Sequence, residues 1–228
     1  MPKIELIQGD CLEKMKDIPD KSIDMILCDL PYGTTACKWD TVIPFEPMWE
    51  QYNRIIKDNC AIVLTASQPF TSALVMSNIK MFKYEWVWNK KQSGSFLLAK
   101  YKPLKITESV LIFSNGTTKY IPQMITGNMR KKGGAKNVKS NLYSFTDTPI
   151  KYNDKYYPTN LIEFSLADKR NRLHPTQKPV ALFEYLIKTY TNEGDTVLDN
   201  CAGSFTTAIA AENTKRNWIC IEQLQEIS

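Results

Sequence analysis

The feature that most restricts the fold of this chain is an alternation of short, β-rich apolar runs with helix-length amphipathic stretches. Candidate strands are Ile4–Ile7, Ile23–Cys28, Cys60–Leu64, Tyr84–Trp88, Val110–Phe113, Thr196–Leu198 and Trp218–Ile221. Candidate helices are Phe45–Ile56, Pro69–Ser77, Val180–Thr189 and Thr206–Asn213. The pattern predicts an α/β fold, a mostly parallel twisted sheet with helices on both faces. No helix separates Tyr84–Trp88 from Val110–Phe113, so one of the two is expected to run antiparallel at a sheet edge. From about Ser114 to Leu173 the chain turns polar, rich in Lys, Asn, Tyr and Thr. A length of 228 residues suits one domain with a modest insertion. The expected division is a main domain of residues 1–114 and 171–228, interrupted by a partly irregular insert at 115–170.

Composition then removes several chemistries. The six cysteines, Cys11, Cys28, Cys37, Cys60, Cys201 and Cys220, form no C-x-x-C pair, so they read as small buried hydrophobes of a reducing compartment. His174 is the only histidine, which argues against a zinc hydrolase, a zinc deaminase or a Ser-His-Asp enzyme; no metal is expected. The start Met1-Pro2-Lys3-Ile4-Glu5 does not read as a signal peptide, and no apolar run reaches membrane-spanning length. A cytoplasmic protein is expected. The net charge of +5 leans towards an anionic partner, and Arg130, Lys131, Lys132, Lys136 and Lys139 concentrate five basic residues, without an acid, inside the insert.

Two strand ends carry chemistry. Ile23–Cys28 runs into Asp29-Leu30-Pro31-Tyr32-Gly33, and open α/β sheets bind ligands at the carboxyl ends of their strands. Taken alone, this pentapeptide is equally a simple turn. Its functional reading is an acceptor site for an aromatic amine, whose lone pair is delocalised into the ring. Asp29 and the Leu30 carbonyl would accept from the amine, Pro31 would stiffen the turn, and Tyr32 would offer a face to an extruded base. Near the other end, Asp199-Asn200-Cys201-Ala202-Gly203-Ser204-Phe205-Thr206-Thr207 reads as a turn into a helix start, followed by a strand closing on Glu222. An acid there suits the hydroxyls of a ribose. Without a G-x-G-x-x-G run or a P-loop lysine, the implied cofactor is a nucleoside lacking phosphates, a description that S-adenosylmethionine fits.

Together these segments resemble the amino-methyltransferases that modify DNA. In that family the catalytic motif is usually Asp-Pro-Pro-Tyr and the cofactor motif Asp-Pro-Phe-x-Gly-Ser-Gly-Thr-Thr. Catalytic motif first and cofactor motif last is the order of its β class. His174-Pro175-Thr176-Gln177-Lys178-Pro179 and Gln8-Gly9-Asp10-Cys11 add to the resemblance. It implies a Rossmann-like S-adenosylmethionine-dependent methyltransferase fold and transfer of a methyl group to N6 of adenine in double-stranded DNA. Asp29, Leu30, Pro31 and Tyr32 would form the catalytic turn. Asp10, Cys11, Asp29, Lys178, Asp199, Gly203, Ser204, Thr206, Thr207 and Glu222 would surround the cofactor, with Lys178 at its carboxylate. The insert would recognise the target, its basic run holding phosphates.

Departures from the family pattern set the alternatives. Leu30 replaces a proline and Asn200-Cys201-Ala202 replaces Pro-Phe-x, both mild changes. Phe205 stands where the last glycine is usual. If that position needs a positive φ the ring is a fault; if the backbone is helical there, Phe205 packs inward, which is the expectation. Ser228 follows Glu222 by six residues, where the family continues with another helix. Exposed apolar surface, covered in a homodimer or by another segment, is therefore expected. Cytosine N4 is the nearest rival target, RNA a weaker rival substrate, and a catalytically impaired DNA-binding remnant the rival from another class.

Overall fold

A computed structural model describes residues 4–35, 40–93, 96–132, 138–139, 144–145, 149–166 and 177–223. Cys37, Lys136 and His174-Pro175-Thr176, singled out above, lie outside the described residues, as does the side chain of Lys139. In chain order the elements are β1 (Ile4–Gln8), α1 (Cys11–Met15), β2 (Ile23–Cys28), α2 (Phe45–Ile55), β3 (Ile56–Ala66), α3 (Phe70–Ser77), β4 (Phe82–Asn89), β5 (Thr107–Phe113), β6 (Ile125–Lys132), β7 (Val138–Lys139), β8 (Ser144–Phe145), β9 (Lys151–Tyr156), β10 (Leu161–Glu163), α4 (Val180–Tyr190), β11 (Thr196–Asp199), α5 (Thr206–Asn213) and β12 (Asn217–Glu222).

The chain divides into two compact units. One comprises Met1–Ile121 with Asn160–Ser228, the other Pro122–Thr159. In the first, eight strands form one sheet in the order β1-β12-β11-β2-β3-β5-β4-β10. All pairings are parallel except those of β5, which runs antiparallel to both β3 and β4. The sequence reading put the antiparallel strand at the sheet edge; β5 instead lies inside the sheet, between β3 and β4. β10, only three residues long, pairs with β4 and takes the edge itself.

Period-two burial divides the sheet's side chains between two layers. Ile26 and Cys28 of β2, Ile62 and Leu64 of β3, and Leu111 and Phe113 of β5 pack with Met15, Met48, Trp49, Tyr52 and Leu74 on the face of α1–α3. Met25 and Leu27, Ala61 and Val63, and Val110 and Ile112 pack with Leu182, Phe183, Leu186, Ile187 and Tyr190 of α4 on the other face. Apart from half-buried Asp24, β2 is fully buried, which is why its sequence is a nearly continuous apolar run. α1 escapes detection in sequence because five residues cannot display a helical period; it stands on a cap, Asp10 accepting from the Leu12 and Glu13 amides. Among the described residues, no helix is long and apolar enough to cross a membrane, and no cluster of His, Cys, Asp and Glu could hold a metal ion.

The second unit has more regular structure than the polar composition suggests. β6 and β9 form an antiparallel ribbon and β7 pairs with β8. Residues 115–121 belong to the first unit, and so does β10, although both fall within the expected insert.

Candidate active site

β2, β3 and β4 run in one direction, so Asp29, Ser67 and Lys90 leave the sheet at the same end. Asp29 follows Cys28, and its Oδ1 collects three donors. The Tyr32 hydroxyl lies at 2.8 Å, the Lys178 ammonium at 3.1 Å, and the Thr65 hydroxyl donates to the same oxygen. Lys178 also pairs with Glu108 Oε2 at 3.1 Å, and Lys90 meets the other oxygen of Glu108 at 3.0 Å. Burial disfavours the Lys178 charge, yet the Asp29 and Glu108 carboxylates outweigh it and hold the ammonium well above its ordinary range. Burial likewise opposes ionisation of Glu108, and Lys178 and Lys90 overcome it, so this carboxyl sits below its ordinary range.

The turn itself is built from behind. Asp40, itself buried, accepts from the amides of Gly33, Thr34 and Thr35 at 2.7–2.8 Å. Gly33 takes a φ of +67°, and a Cβ there would come within 2.8 Å of Val42, so glycine is required on both counts. Leu30 is buried, and among the described residues its carbonyl receives no hydrogen bond. Tyr32 stacks on Phe70 with centroids 5.2 Å apart, and burial pushes its hydroxyl well above the ordinary phenol range. One of its faces is thus already taken by protein.

The second strand end lies beside the first, because β11 adjoins β2 and β12 adjoins β1. Glu222 stands opposite Gln8, and its Oε2 accepts the Gly203 amide at 2.6 Å. Gly9 donates to the Glu222 carbonyl at 3.0 Å, which brings the start of α1 against the end of β12. Asp10 is exposed, with both capping bonds on Oδ1. Ser204 is half-buried, its hydroxyl 3.2 Å from that of Thr206; Thr206 also reaches the Lys178 carbonyl at 3.4 Å. Asp199 is buried, takes the Cys201 amide at 3.0 Å on one oxygen and the Thr207 hydroxyl on the other, and burial pushes its carboxyl up to about 6. Asp199 and Thr207 therefore brace the turn from inside. Burial pushes the Cys28 thiol up to about 12. All described cysteines are free.

Two carboxylates and a turn of backbone amides, with no lysine among them, suit a ribose and an amine rather than phosphates. That donor set fits S-adenosylmethionine. Lys178, which the resemblance puts at the cofactor's carboxylate, pairs with Asp29 and Glu108. Phe205 corrects the sequence reading more sharply. Its backbone is left-handed, φ 58° and ψ 27°, rather than helical, although its ring does pack against the buried Ala202, Ala208 and Cys220 cluster. Sequence reasoning missed Thr65, Lys90, Glu108 and Asp40; the only signal for the first three is a polar side chain at the end of an apolar strand, Thr65 near the close of β3, Lys90 following β4 and Glu108 near the opening of β5.

A family of DNA methylases, embracing N6 and N4 enzymes, matches residues 23–228. The DNA adenine methyltransferase YhdJ of Escherichia coli (strain K12) is 31% identical over 95% of this chain and 77% of its own. Among solved structures, M1.HpyAVI in complex with SAM superposes with a TM-score of 0.65 at 24% identity, over 97% of this chain and 94% of that one. The cytosine-N4-specific PvuII DNA methyltransferase gives 0.68 at 16% identity, over 98% and 84%. The chain belongs to the DNA methylase family. It is a DNA methyltransferase that uses S-adenosylmethionine, and its sheet is the Rossmann-like sheet of that fold.

Two predictions follow from the cofactor turn. A left-handed backbone suits glycine better than any residue with a Cβ, so Phe205→Gly should be more stable than Phe205→Ala by about 1 kcal/mol in urea unfolding; equal stabilities would contradict the left-handed assignment. Asp199 stays protonated in the folded chain while its unfolded counterpart ionises, so between pH 4 and about 6 the unfolded state sheds a proton that the native state keeps. Relative to Asp199→Asn, the wild type should lose stability as pH rises through that window, by at most roughly 3 kcal/mol, and run parallel above it. Parallel curves throughout would show that Asp199 titrates normally.

Proposed function

We propose that the methyl group goes to N6 of adenine in double-stranded DNA at a specific sequence. The observation that carries this reading is the one-sided anchoring of Asp29. Tyr32, Thr65 and Lys178 all meet Oδ1, which among the described residues leaves Oδ2 to accept a hydrogen from the target amine. The Leu30 carbonyl would take the amine's other hydrogen, so the lone pair localises on nitrogen and points at the incoming carbon. S-adenosylmethionine supplies a methyl group on a positively charged sulfur. As the methyl group leaves sulfur for nitrogen, the Asp29 carboxylate would accept the amine's surplus proton. Pro31 keeps the turn stiff, and Tyr32 fixes Asp29 while flanking the base. Asp10, Cys11, Gly203, Ser204 and Glu222 contact the cofactor, with Asp199, Thr206 and Thr207 behind them; Lys178 orients Asp29. The relative named a DNA adenine methyltransferase supports adenine. Cytosine N4 presents the same chemistry, and digestion of modified DNA to nucleosides separates the two.

Asp29→Ala should lower methyl transfer by about two orders of magnitude or more in the protein that remains folded. Turnover near the wild-type rate by the folded variant would sink the mechanism.

Target recognition is assigned to the insert, with the ribbon β6–β9 as its phosphate contact. Arg130, Lys131 and Lys132 close β6, opposite Asn153, Tyr152 and Lys151. Lys131 and Lys132 are exposed, whereas the Arg130 guanidinium lies 3.8 Å from the centre of the Tyr156 ring. The two lysines are thus the stronger phosphate ligands, with Lys136 and Lys139 continuing the run. Alanine at Lys131 and Lys132 should weaken DNA binding and flatten the log–log salt dependence by roughly one unit per lost contact. An unchanged slope would remove the ribbon from the interface. A homodimer is the proposed assembly, supported by the exposed Ile4 and Leu6 on the edge strand β1.

A further inference from the structure

Between β4 and β5 the described residues Phe96–Ile106 are all exposed. Six of the eleven are large and apolar: Phe96, Leu97, Leu98, Tyr101, Leu104 and Ile106, with Leu97 at 78% and Tyr101 at 84% exposure. Lys100, Lys102 and Lys105 alternate with them, and the stretch holds no acid. Phe96–Leu98 form a single 3-10 turn, from which Leu98 accepts the amides of Tyr101 and Lys102. The segment is firmly rooted. The Lys90 amide donates to the Ile106 carbonyl at 2.8 Å, and Lys105 reaches the Ser67 hydroxyl just past β3. Its two stems, Lys90 and Glu108, are the residues that continue the ion-pair chain from Asp29 through Lys178.

We propose that Phe96–Ile106 enters the DNA duplex beside the target, its lysines on phosphates and Leu97 and Tyr101 filling the gap left by the extruded base. The inference rests on the DNA-methylating reading of Asp29 and adds to it the surface that opens the duplex. Exposed apolar side chains interleaved with lysines match a duplex in particular. The phosphates answer the charge, and an unstacked base step is the apolar slot within reach of them. Placement supports the same occupant, since the stretch joins β4 to β5 at the end of the sheet where Asp29 follows β2. A base drawn out of its stack to meet Asp29 needs something to hold the vacated space.

The test begins with the base that wild-type protein methylates, located by modified-base sequencing of DNA from expressing cells. Absence of any methylated base would sink the methyltransferase reading itself, and this inference with it. On a duplex carrying 2-aminopurine at the located position, wild type should raise the fluorescence on binding. The double variant Leu97→Ala, Tyr101→Ala should lose most of that rise and methylate the matched duplex at least tenfold more slowly. A mismatch at the target, which lowers the cost of extrusion, should restore its rate towards wild type. Lys100→Ala with Lys102→Ala should instead weaken binding and flatten the salt dependence by about one unit per lost contact. These positions are exposed, so an unchanged unfolding midpoint is expected for both variants. Wild-type fluorescence and rates in the apolar variant would overturn the proposal while leaving the enzyme reading intact. So would sedimentation showing that the variant only breaks up a self-association.

Discussion

Lys178 is an ammonium with a tenth of its side chain exposed, and its position depends on two carboxylates from distant parts of the chain. A charge so placed is tolerable only if paired, because its desolvation costs several kcal/mol. Asp29 comes from the end of β2, Glu108 from the start of β5, and Lys178 itself from just before α4. The pairing therefore ties three segments that are distant in sequence. It also makes the turn after β2 sensitive to β4, since Lys90 supplies the second cation that Glu108 needs. Two lysines and two carboxylates alternate, so the chain of charges is neutral overall and each member has an opposite neighbour. Breaking any link would leave a half-buried charge whose nearest escape is movement of Asp29.

The same arrangement explains why the site sits where it does. β2 is buried on both faces, so its direction is fixed by the core rather than by the turn that follows it. Asp40, collecting three amides, then fixes that turn independently of any ligand. Asp29 is held from the strand side by Thr65 and from the turn side by Tyr32, and its unanchored oxygen is a consequence of that geometry. Preorganised acceptors of this kind need no rearrangement when charge develops on the amine.

Most of the sheet was legible in the sequence because its strands are either buried on both faces or alternate cleanly. Only the ends moved: β3 begins four residues early because Ile56 pairs with Ile23 before a polar bulge of Lys57, Asp58 and Asn59. β10 was not legible, since three residues carry no period, and its arrival displaced the antiparallel strand from the edge. For the candidate site, local motifs located the turns, as the positions of Asp29, Gly203 and Glu222 at neighbouring strand ends make plain. What they could not supply were partners distant in sequence. Thr65, Glu108 and Lys90 reach Asp29 only through strand order, and Asp40 does its work seven residues beyond the glycine it caps.

Phe205 shows how a departure from a motif can be energetic without being geometric. A left-handed backbone costs a residue with a Cβ roughly 1–2 kcal/mol. The loop nevertheless holds that shape, because the bonds around it over-determine it: Ala202 donates to the Ile221 carbonyl, Gly203 to the Glu222 carboxylate, and Phe205 to the Ala202 carbonyl. Partial burial of the ring against Ala202, Ala208 and Cys220 offsets part of the cost. The backbone path is thus the one a glycine would take. Three donors likewise fix one oxygen of Asp29, so the turns after β2 and β11 are both shaped by bonds made within the fold.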